Sequence, residues 1–449
     1  MTATTKRRQQ QELLDATDTR TVVVNSLNTP QMRRILASSF IGTAIEYYDF
    51  ILYAVASAVV FGHVFFTQMP EPVAIFASFA TLAVGYVARP LGGVIFGHFG
   101  DRIGRKKMLV LSMLMMGAAT TVVGLLPTTA QIGVVAPMIL ICVRLIQGFA
   151  VGGEWGGAAL MAMEHAPQRK RGFATSFANA GGPAGAILAR LVVSLMSAVA
   201  GQQFLVWGWR IPFLLSSVLI VVGLIIRLRI SESPLFQKLE RSSEKRKLPL
   251  LEVLTHHWRA VVLALLATMS FYCCQGIVTV WGVAASVEAG ADRTEVLNWK
   301  ALGAVVTLVV TFASARLSDR VGRKKVLIAG GVLGVVAVYP LLLLLSSGTV
   351  WGFATADVIG NGVIQGLLYG PIGAFIAEQF PTRVRYTGAS LAYQGASTLG
   401  AGFTPMIVSG LLLVAGGSLW LVAVFWAAVL LVGIIAVART PEGSRRALT

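Results

Sequence analysis

The chain of 449 residues is 55% hydrophobic and only 13% charged, with a mean hydropathy of +0.74 and a formal net charge of +17. So little polar surface cannot cover a soluble globule of this length, so lipid is the expected solvent. The positive charge is spread over seven loops and tails, where orientation in the bilayer and contact with anionic lipid account for it, and nucleic acid is not an expected partner.

In chain order, residues 1–34 form a polar tail without the short apolar core and small-residue cleavage site of a signal peptide. Apolar segments long enough to cross about 30 Å of hydrocarbon at roughly 1.5 Å per residue follow at 36–60, 73–97, 108–126, 135–163, 173–199 and 208–227. The stretch 228–258, with Glu232, Pro234, Glu240, Arg241, Glu244, Lys245, Arg246, Lys247 and Pro249, reads as a linker with room for an interfacial helix. Six more spans follow at 259–284, 297–315, 326–345, 350–378, 387–414 and 418–438, then a short basic tail over 439–449. The expected domains are therefore a six-helix bundle over 35–227 and another over 259–438. Twelve spans put both termini on one side. The loops and tails of that side carry 31 of the 37 Lys and Arg, against Arg210, Arg293 and Lys300 opposite, so both termini are expected in the cytoplasm and the protein in the inner cell membrane.

Two motifs recur. Gly97-His-Phe-Gly-Asp101-Arg102-Ile-Gly104-Arg105-Lys106 returns 218 residues later as Ala315-Arg-Leu-Ser-Asp319-Arg320-Val-Gly322-Arg323-Lys324. Glu164-x-x-Pro167-x-x-x-Arg171 returns 214 residues later as Glu378-x-x-Pro381-x-x-x-Arg385. Two motifs at nearly one offset imply a duplication, hence an all-α integral membrane fold of twelve helices in two pseudo-symmetric bundles, with a solute site between them near the midplane.

These residues carry a family resemblance. The decapeptide and its copy resemble the signature of the major facilitator superfamily, and Arg144-Leu-Ile-Gln-Gly148-Phe-Ala-Val-Gly-Gly-Glu154-Trp-Gly-Gly resembles its proton-coupled members. Glu46-Tyr-Tyr-Asp49-Phe, Arg89-Pro-Leu-Gly-Gly, Gly208-Trp-Arg-Ile-Pro-Phe and Glu232-Ser-Pro are similar to the metabolite:proton symporters, which include carriers of shikimate, citrate, 2-oxoglutarate, proline and betaine.

The repeated charges lie where helix ends meet, and ion pairs there can hold one conformation and release it in another. A loop serving orientation alone would explain the basic residues but not Asp101. Asp101, Arg102, Arg105 and Lys106, their copies Asp319, Arg320 and Arg323, and the second tier Glu164, Arg171, Glu378 and Arg385 are the expected gate.

Within the spans the charges are Glu46, Asp49, Arg89, Arg144, Glu154, Arg190 and Asp357, each costing about 2.5–3.5 kcal/mol at a helix centre. Glu46 and Asp49 share a helical face and are the first choice for a transported proton. Glu154 is the runner-up, ten residues from Arg144 on one helix, and an ion pair with an arginine of the same half is the alternative for any of these acids. Arg89 and Arg144 stay charged and must neutralise the acids or a bound anion, in alternation if both. Arg190 is open between a carboxylate anchor, a partner for Asp357 and a departure that impairs transport.

Tyr47, Tyr53, Gln147, Trp155, Asn179, Tyr272, Gln275, Trp281, Asn361, Gln365, Tyr369, Tyr393 and Gln394 are candidates to complete the pocket. Rows such as Gly148-x-x-x-Gly152 allow close helix approach. Cys142, Cys273 and Cys274 suit neither a disulfide framework nor a metal site. There is no phosphate loop, no metal-binding His spacing and no serine elbow, so neither a cofactor nor enzymatic activity is expected. The reading is proton-coupled uptake of a small organic anion, such as a shikimate-like hydroxylated carboxylate, by a monomer working through alternating access. A zwitterionic osmolyte of the proline/betaine type and a transporter-like receptor are the alternatives.

Overall fold

The computed structural model describes residues 29–241, 249–444 and 446. Expectations for the tail up to residue 28, for 242–248 in the linker, and for 445 and 447–449 lie outside the described residues.

The long helices are α1 (Pro30–Val59), α2 (Glu71–Ile103), α3 (Arg105–Leu125), α4 (Val135–His165), α5 (Arg171–Ala200), α6 (Arg210–Leu228), α7 (Trp258–Glu288), α8 (Arg293–Val321), α9 (Arg323–Leu345), α10 (Val350–Ala377), α11 (Arg385–Val414) and α12 (Trp420–Arg439). No strand occurs among the described residues. Eleven spans in the described residues are long and apolar enough to cross a membrane. The remaining expected span, 73–97, coincides with α2, whose 33 residues suffice in length. Short helices Pro234–Arg241 and Pro249–His256 lie on the stretch expected to be a linker.

The repeated decapeptides are not the polar loops expected over 98–107 and 316–325. The last turn of α2 runs through Asp101 and Arg102 to Ile103, one residue turns the chain, and α3 begins at Arg105; α8, Gly322 and α9 repeat the arrangement. Gly104 and Gly322 take φ of 116° and 104°, a region closed to most side chains, so a single residue can join two transmembrane helices. This fixes the motif charges on helix ends rather than on a mobile loop.

Within the first bundle α2 lies against α4, where a Cβ on Gly148 would strike the Gly85 carbonyl and one on Gly152 the Arg89 carbonyl. Between bundles, α2 packs on α11 and α8 on α5, the same contact with the halves exchanged. Wide π-helical turns interrupt α7 at Gly276–Trp281, α10 at Asp357–Gln365 and α11 at Thr398–Gly402. Such turns are frequent where backbone or side chains serve a site.

Candidate substrate and proton site

α1 carries two of the first half's three intramembrane acids to the bundle interior, where Glu46 is 5% and Asp49 2% exposed. Asp49 is fully bonded: Ser216 of α6 donates to Oδ1 at 2.5 Å and Thr120 of α3 to Oδ2 at 2.9 Å. Thr120 Oγ1 in turn accepts from Gln147 Nε2 at 2.8 Å, and Arg144 Nη1 donates to Gln147 Oε1 at 3.3 Å. Glu46 differs, because its Oε2 has no hydrogen-bond partner among the described residues. An unpaired buried carboxylate is costly unless it holds a proton or awaits a partner.

The two arginines stand beside these acids without forming an ion pair with them among the described residues. Arg89 donates to Ser397 of α11 at 3.3 Å and lies 4.6 Å over the ring of Phe50 and 4.4 Å over that of Tyr86. Arg144 lies 4.2 Å over Tyr53 and 5.2 Å over Phe50. Aromatic faces stabilise a guanidinium without discharging it. Gly85 leaves the space that Arg144 fills.

Aromatic side chains of both bundles meet below this pair. Trp155 stacks on Tyr393 with ring centroids 3.3 Å apart, and Tyr369 stacks on Phe271 at 4.3 Å. Trp155 donates to Asn179 at 2.9 Å, and Asn179 donates to the Tyr369 carbonyl at 2.6 Å, tying α4, α5 and α10 together. Tyr272 has Tyr47, Tyr393, Arg89 and Ser397 as polar neighbours, and Tyr47 lies against Gly182. Gln394 donates to the carbonyls of Val151 and Gly152 in α4 at 3.3 and 3.2 Å.

Tyr53, whose ring faces Arg144, donates to Thr81 within its own bundle. Gln275 is half-buried just before the π-helical turn of α7, and Trp281 goes elsewhere and packs on the second bundle's core. Asn361 and Gln365 lie within the π-helical turn of α10, with Gln365 Oε1 unpartnered among the described residues. Glu154 is held by Arg227 of α6, which donates from Nη1 at 2.9 Å and from Nη2, while Ser112 donates at 2.9 Å. Arg227, at the end of the span expected over 208–227, counts by sequence with the basic loops of the termini's side, but it is 1% exposed and neutralises a buried acid. Nor is Lys300 a loop residue: it lies in α8 and its Nζ donates to the Thr279 carbonyl at 2.5 Å. Asp357 is fully buried with its carboxylate against Gly303, and its polar neighbours are Lys300, Asn361 and Arg190.

At the basic face the repeats form two matching closures. Asp101 of α2 accepts from the backbone N–H groups of Tyr386 and Thr387 at 3.1 and 2.9 Å, so it caps α11 from the opposite bundle. Asp319 of α8 caps α5 in the same way, accepting from Gly172 and Phe173 at 2.9 and 2.8 Å. Glu164 receives Arg105 and Arg385, both at 3.1 Å, and Arg323 joins Asp319 at 2.6 Å and Glu378 at 3.2 Å. Arg171 donates to the Arg446 carbonyl at 2.9 Å. Lys106 reaches back to the Leu228 carbonyl, whereas Arg102 and Arg320 point outward, exposed. Among the described residues, the polar ties between bundles run from Tyr86–Thr398 and Arg89–Ser397 near mid-helix down to this face.

Comparison with known proteins places this geometry. A Major Facilitator Superfamily model matches residues 39–292, and a Sugar (and other) transporter model matches 236–448. The chain is 43% identical over 396 residues to the inner membrane metabolite transport protein YhjE of Escherichia coli K12, covering 86% of this chain and 88% of that one. It is 38% identical to the shikimate transporter of the same organism (89% and 92% covered) and 31% identical to its proline/betaine transporter (95% and 86% covered). The chain belongs to the major facilitator superfamily. A structure of the proton:xylose symporter XylE bound to 6-bromo-6-deoxy-D-glucose superposes with a TM-score of 0.75 at 17% identity, over 94% of this chain and 98% of that one, a likeness of fold.

As a major facilitator protein of the metabolite-transporter group, the chain is a multi-pass membrane transporter and not an enzyme. Several residues that build its site escaped sequence reasoning. Thr120, Ser216 and Ser397 are small hydroxyls inside apolar runs, where most such residues merely bond their own helix backbone. Glu232, legible only as part of a family motif, and Glu442 had contacts hidden for another reason: each follows the last helix of its half and folds back onto a motif turn. Glu232 accepts from Lys106 N at 3.1 Å, while Glu442 accepts from Arg323 N at 3.2 Å and Lys324 N at 3.1 Å. Burial would push the Glu442 carboxyl up, but these backbone N–H groups and that of Ser444 hold it below its usual range.

Proposed function

We propose that this transporter takes up a small organic anion together with protons, the anion being a hydroxylated mono- or dicarboxylate of the shikimate kind. The observation that carries this reading is the pair Arg89 and Arg144, buried side by side on aromatic faces with no carboxylate partner among the described residues. A buried guanidinium left without a counter-ion costs several kcal/mol, on the order of what a substrate carboxylate would return. The adjoining tyrosine hydroxyls and Asn179 suit a hydroxylated ring. The shikimate transporter among the relatives supports the same class.

Glu46 and Asp49 are the proposed proton carriers, one turn apart and free of direct ion pairs. Glu154, held by Arg227, has a structural role in this account. The basic face is proposed to be cytoplasmic, with both termini there, because it carries most of the Lys and Arg. The bundles over 35–227 and 259–438 then move as the two halves of a monomer, and the closures of Asp101 and Asp319 shut the inner side.

A zwitterionic osmolyte is the second reading, favoured by the Trp155, Tyr272 and Tyr393 faces, which attract a quaternary ammonium. The two differ in charge movement. A monoanion with one proton is electroneutral and driven by about 1.4 kcal/mol per pH unit, whereas a zwitterion with one proton gains about 2.3 kcal/mol per 100 mV. Uptake of labelled shikimate and of glycine betaine into proteoliposomes, with the potential clamped by valinomycin and potassium, tests this. Full pH-driven shikimate uptake at zero potential is expected; betaine uptake that collapses with the potential would replace it with the second reading.

A further inference from the structure

The structure shows Asp49 and Arg144 linked without touching. The chain runs Arg144 Nη1 to Gln147 Oε1, Gln147 Nε2 to Thr120 Oγ1, and Thr120 Oγ1 to Asp49 Oδ2, at 3.3, 2.8 and 2.9 Å. We infer that Thr120 is a positioning residue for the proton step, a hydroxyl that reports the charge of Asp49 to Arg144 through Gln147. This rests on the proposal that Asp49 carries a transported proton.

The argument turns on one hydrogen. Thr120 has a single O–H and two acceptors in reach, Asp49 Oδ2 at 2.9 Å and the Met116 carbonyl at 3.0 Å. While Asp49 is ionised, its charge makes it the better acceptor and Thr120 donates to it. Gln147 strengthens that donation, because an N–H given to Oγ1 polarises the hydroxyl. Once Asp49 is protonated at Oδ2 it becomes the donor, and the Thr120 hydrogen turns to Met116. The carboxylate then no longer draws on the amide that holds Arg144. Ser216 provides a contrast within the same site: it donates to Oδ1 at 2.5 Å but has no bond onward to Arg144.

The other charged groups near Asp49 do not bypass this chain by direct contact. Glu46 is its neighbour on α1, Tyr48 on the same helix donates to the Pro212 carbonyl, and Arg144 is the cation it feels from α4. Arg89 of α2 and Arg227 of α6 act on Glu46 instead.

The test follows the carboxyl C=O infrared band of the purified full-length protein through a pH titration, the band being assigned by its loss in Asp49→Asn. No substrate is needed. Thr120→Val is expected to move the midpoint up by about one pH unit, a tenfold gain in proton affinity, with Thr120→Ser close to wild type. Gln147→Leu is expected to move it the same way by about half as much, and the double variant Thr120→Val/Gln147→Leu no further than Thr120→Val alone. Ser216→Ala is expected to add its full shift to that of Gln147→Leu. A Thr120→Val midpoint that overlays wild type, or full additivity with Gln147→Leu, overturns the inference. If Thr120→Val does not purify as folded protein, Gln147→Leu decides alone, because a midpoint identical to wild type leaves no relay. Failure of the parent reading looks different: pH-driven shikimate uptake would survive Asp49→Asn, whatever the infrared titrations show.

Discussion

Glu164 and Arg385 stand 3.1 Å apart, buried between the two bundles although 221 residues separate them in the chain. The same carboxylate holds Arg105 at 3.1 Å, so one acid neutralises a guanidinium from each half. Removing one partner from such a buried cluster costs about 3–5 kcal/mol, because the remaining charges are stranded. The loss falls on the conformation in which the halves touch at the basic face.

Glu164→Gln is therefore expected to open that face. A cysteine replacing Ser390, buried where α11 meets Gly156 of α4, reports on it in a background without Cys142, Cys273 and Cys274. Its labelling by a water-soluble maleimide is expected to rise at least about tenfold, the effect of roughly 1.4 kcal/mol. An unchanged rate would remove Glu164 from the gate.

Arg89 and Arg144 make different predictions for binding. Each guanidinium is aligned by an aromatic face, which lysine cannot exploit in the same geometry, so Arg→Lys is not conservative here. Arg89→Lys and Arg144→Lys are each expected to weaken shikimate binding by at least about tenfold, roughly 1.4 kcal/mol, in isothermal calorimetry. Wild-type affinity in both would end the anion reading.

The outer cluster separates the roles open to Arg190. Asp357 is fully buried, with the cations Lys300 and Arg190 and the Asn361 side chain as its polar neighbours. If Lys300 balances Asp357, Lys300→Met leaves an acid uncompensated and lowers the melting temperature, and adding Asp357→Asn restores much of the loss. Arg190→Ala is expected to preserve folding. Reduced shikimate affinity in that variant would make Arg190 an anchor, and unchanged affinity would exclude it as one.

How much of this was legible in the sequence depends on distance. The fold was readable because lipid imposes long apolar helices and the duplicated Asp101 and Asp319 motifs revealed the twofold plan. Acids and arginines inside those helices were legible because each is too costly to be incidental. Their partners were not. Glu154 bonds to Arg227 rather than to Arg144 of its own helix, and only packing of α4 on α6 makes that pair. The motif itself misled: its charges suggest a loop, but Gly104 turns the chain in one residue and leaves Asp101 aimed at the first turn of α11.

Helix spacing gives a further prediction. A methyl on Gly148 would meet the backbone of α2 at Gly85, not a side chain that can rotate away. Overpacking of this kind costs typically about 1–3 kcal/mol. Gly148→Ala is expected to lower thermal stability and to displace α2, which carries Arg89. Gly410→Ala, where a methyl meets nothing within 4 Å, is the control. Equal melting temperatures for the two variants would refute the packing argument.

Glu442 supplies the pH prediction. Its carboxyl is held below the usual range by the N–H groups of Arg323, Lys324 and Ser444, against the opposing effect of burial. A group whose folded value is depressed contributes stability that is fully present above its unfolded value, near 4.5, and lost as the pH falls through the lower folded value. Glu442→Gln keeps an acceptor at the N-terminus of α9 but removes the charge, worth about 0.3–1 kcal/mol there. Melting temperatures of wild type and variant are expected to differ at neutral pH, to hold that difference down to about the usual carboxylate range, and to converge below it. Because every other acid is common to both proteins, the difference isolates Glu442, and a gap that stays constant to the acid limit would show that its charge does not stabilise the turn.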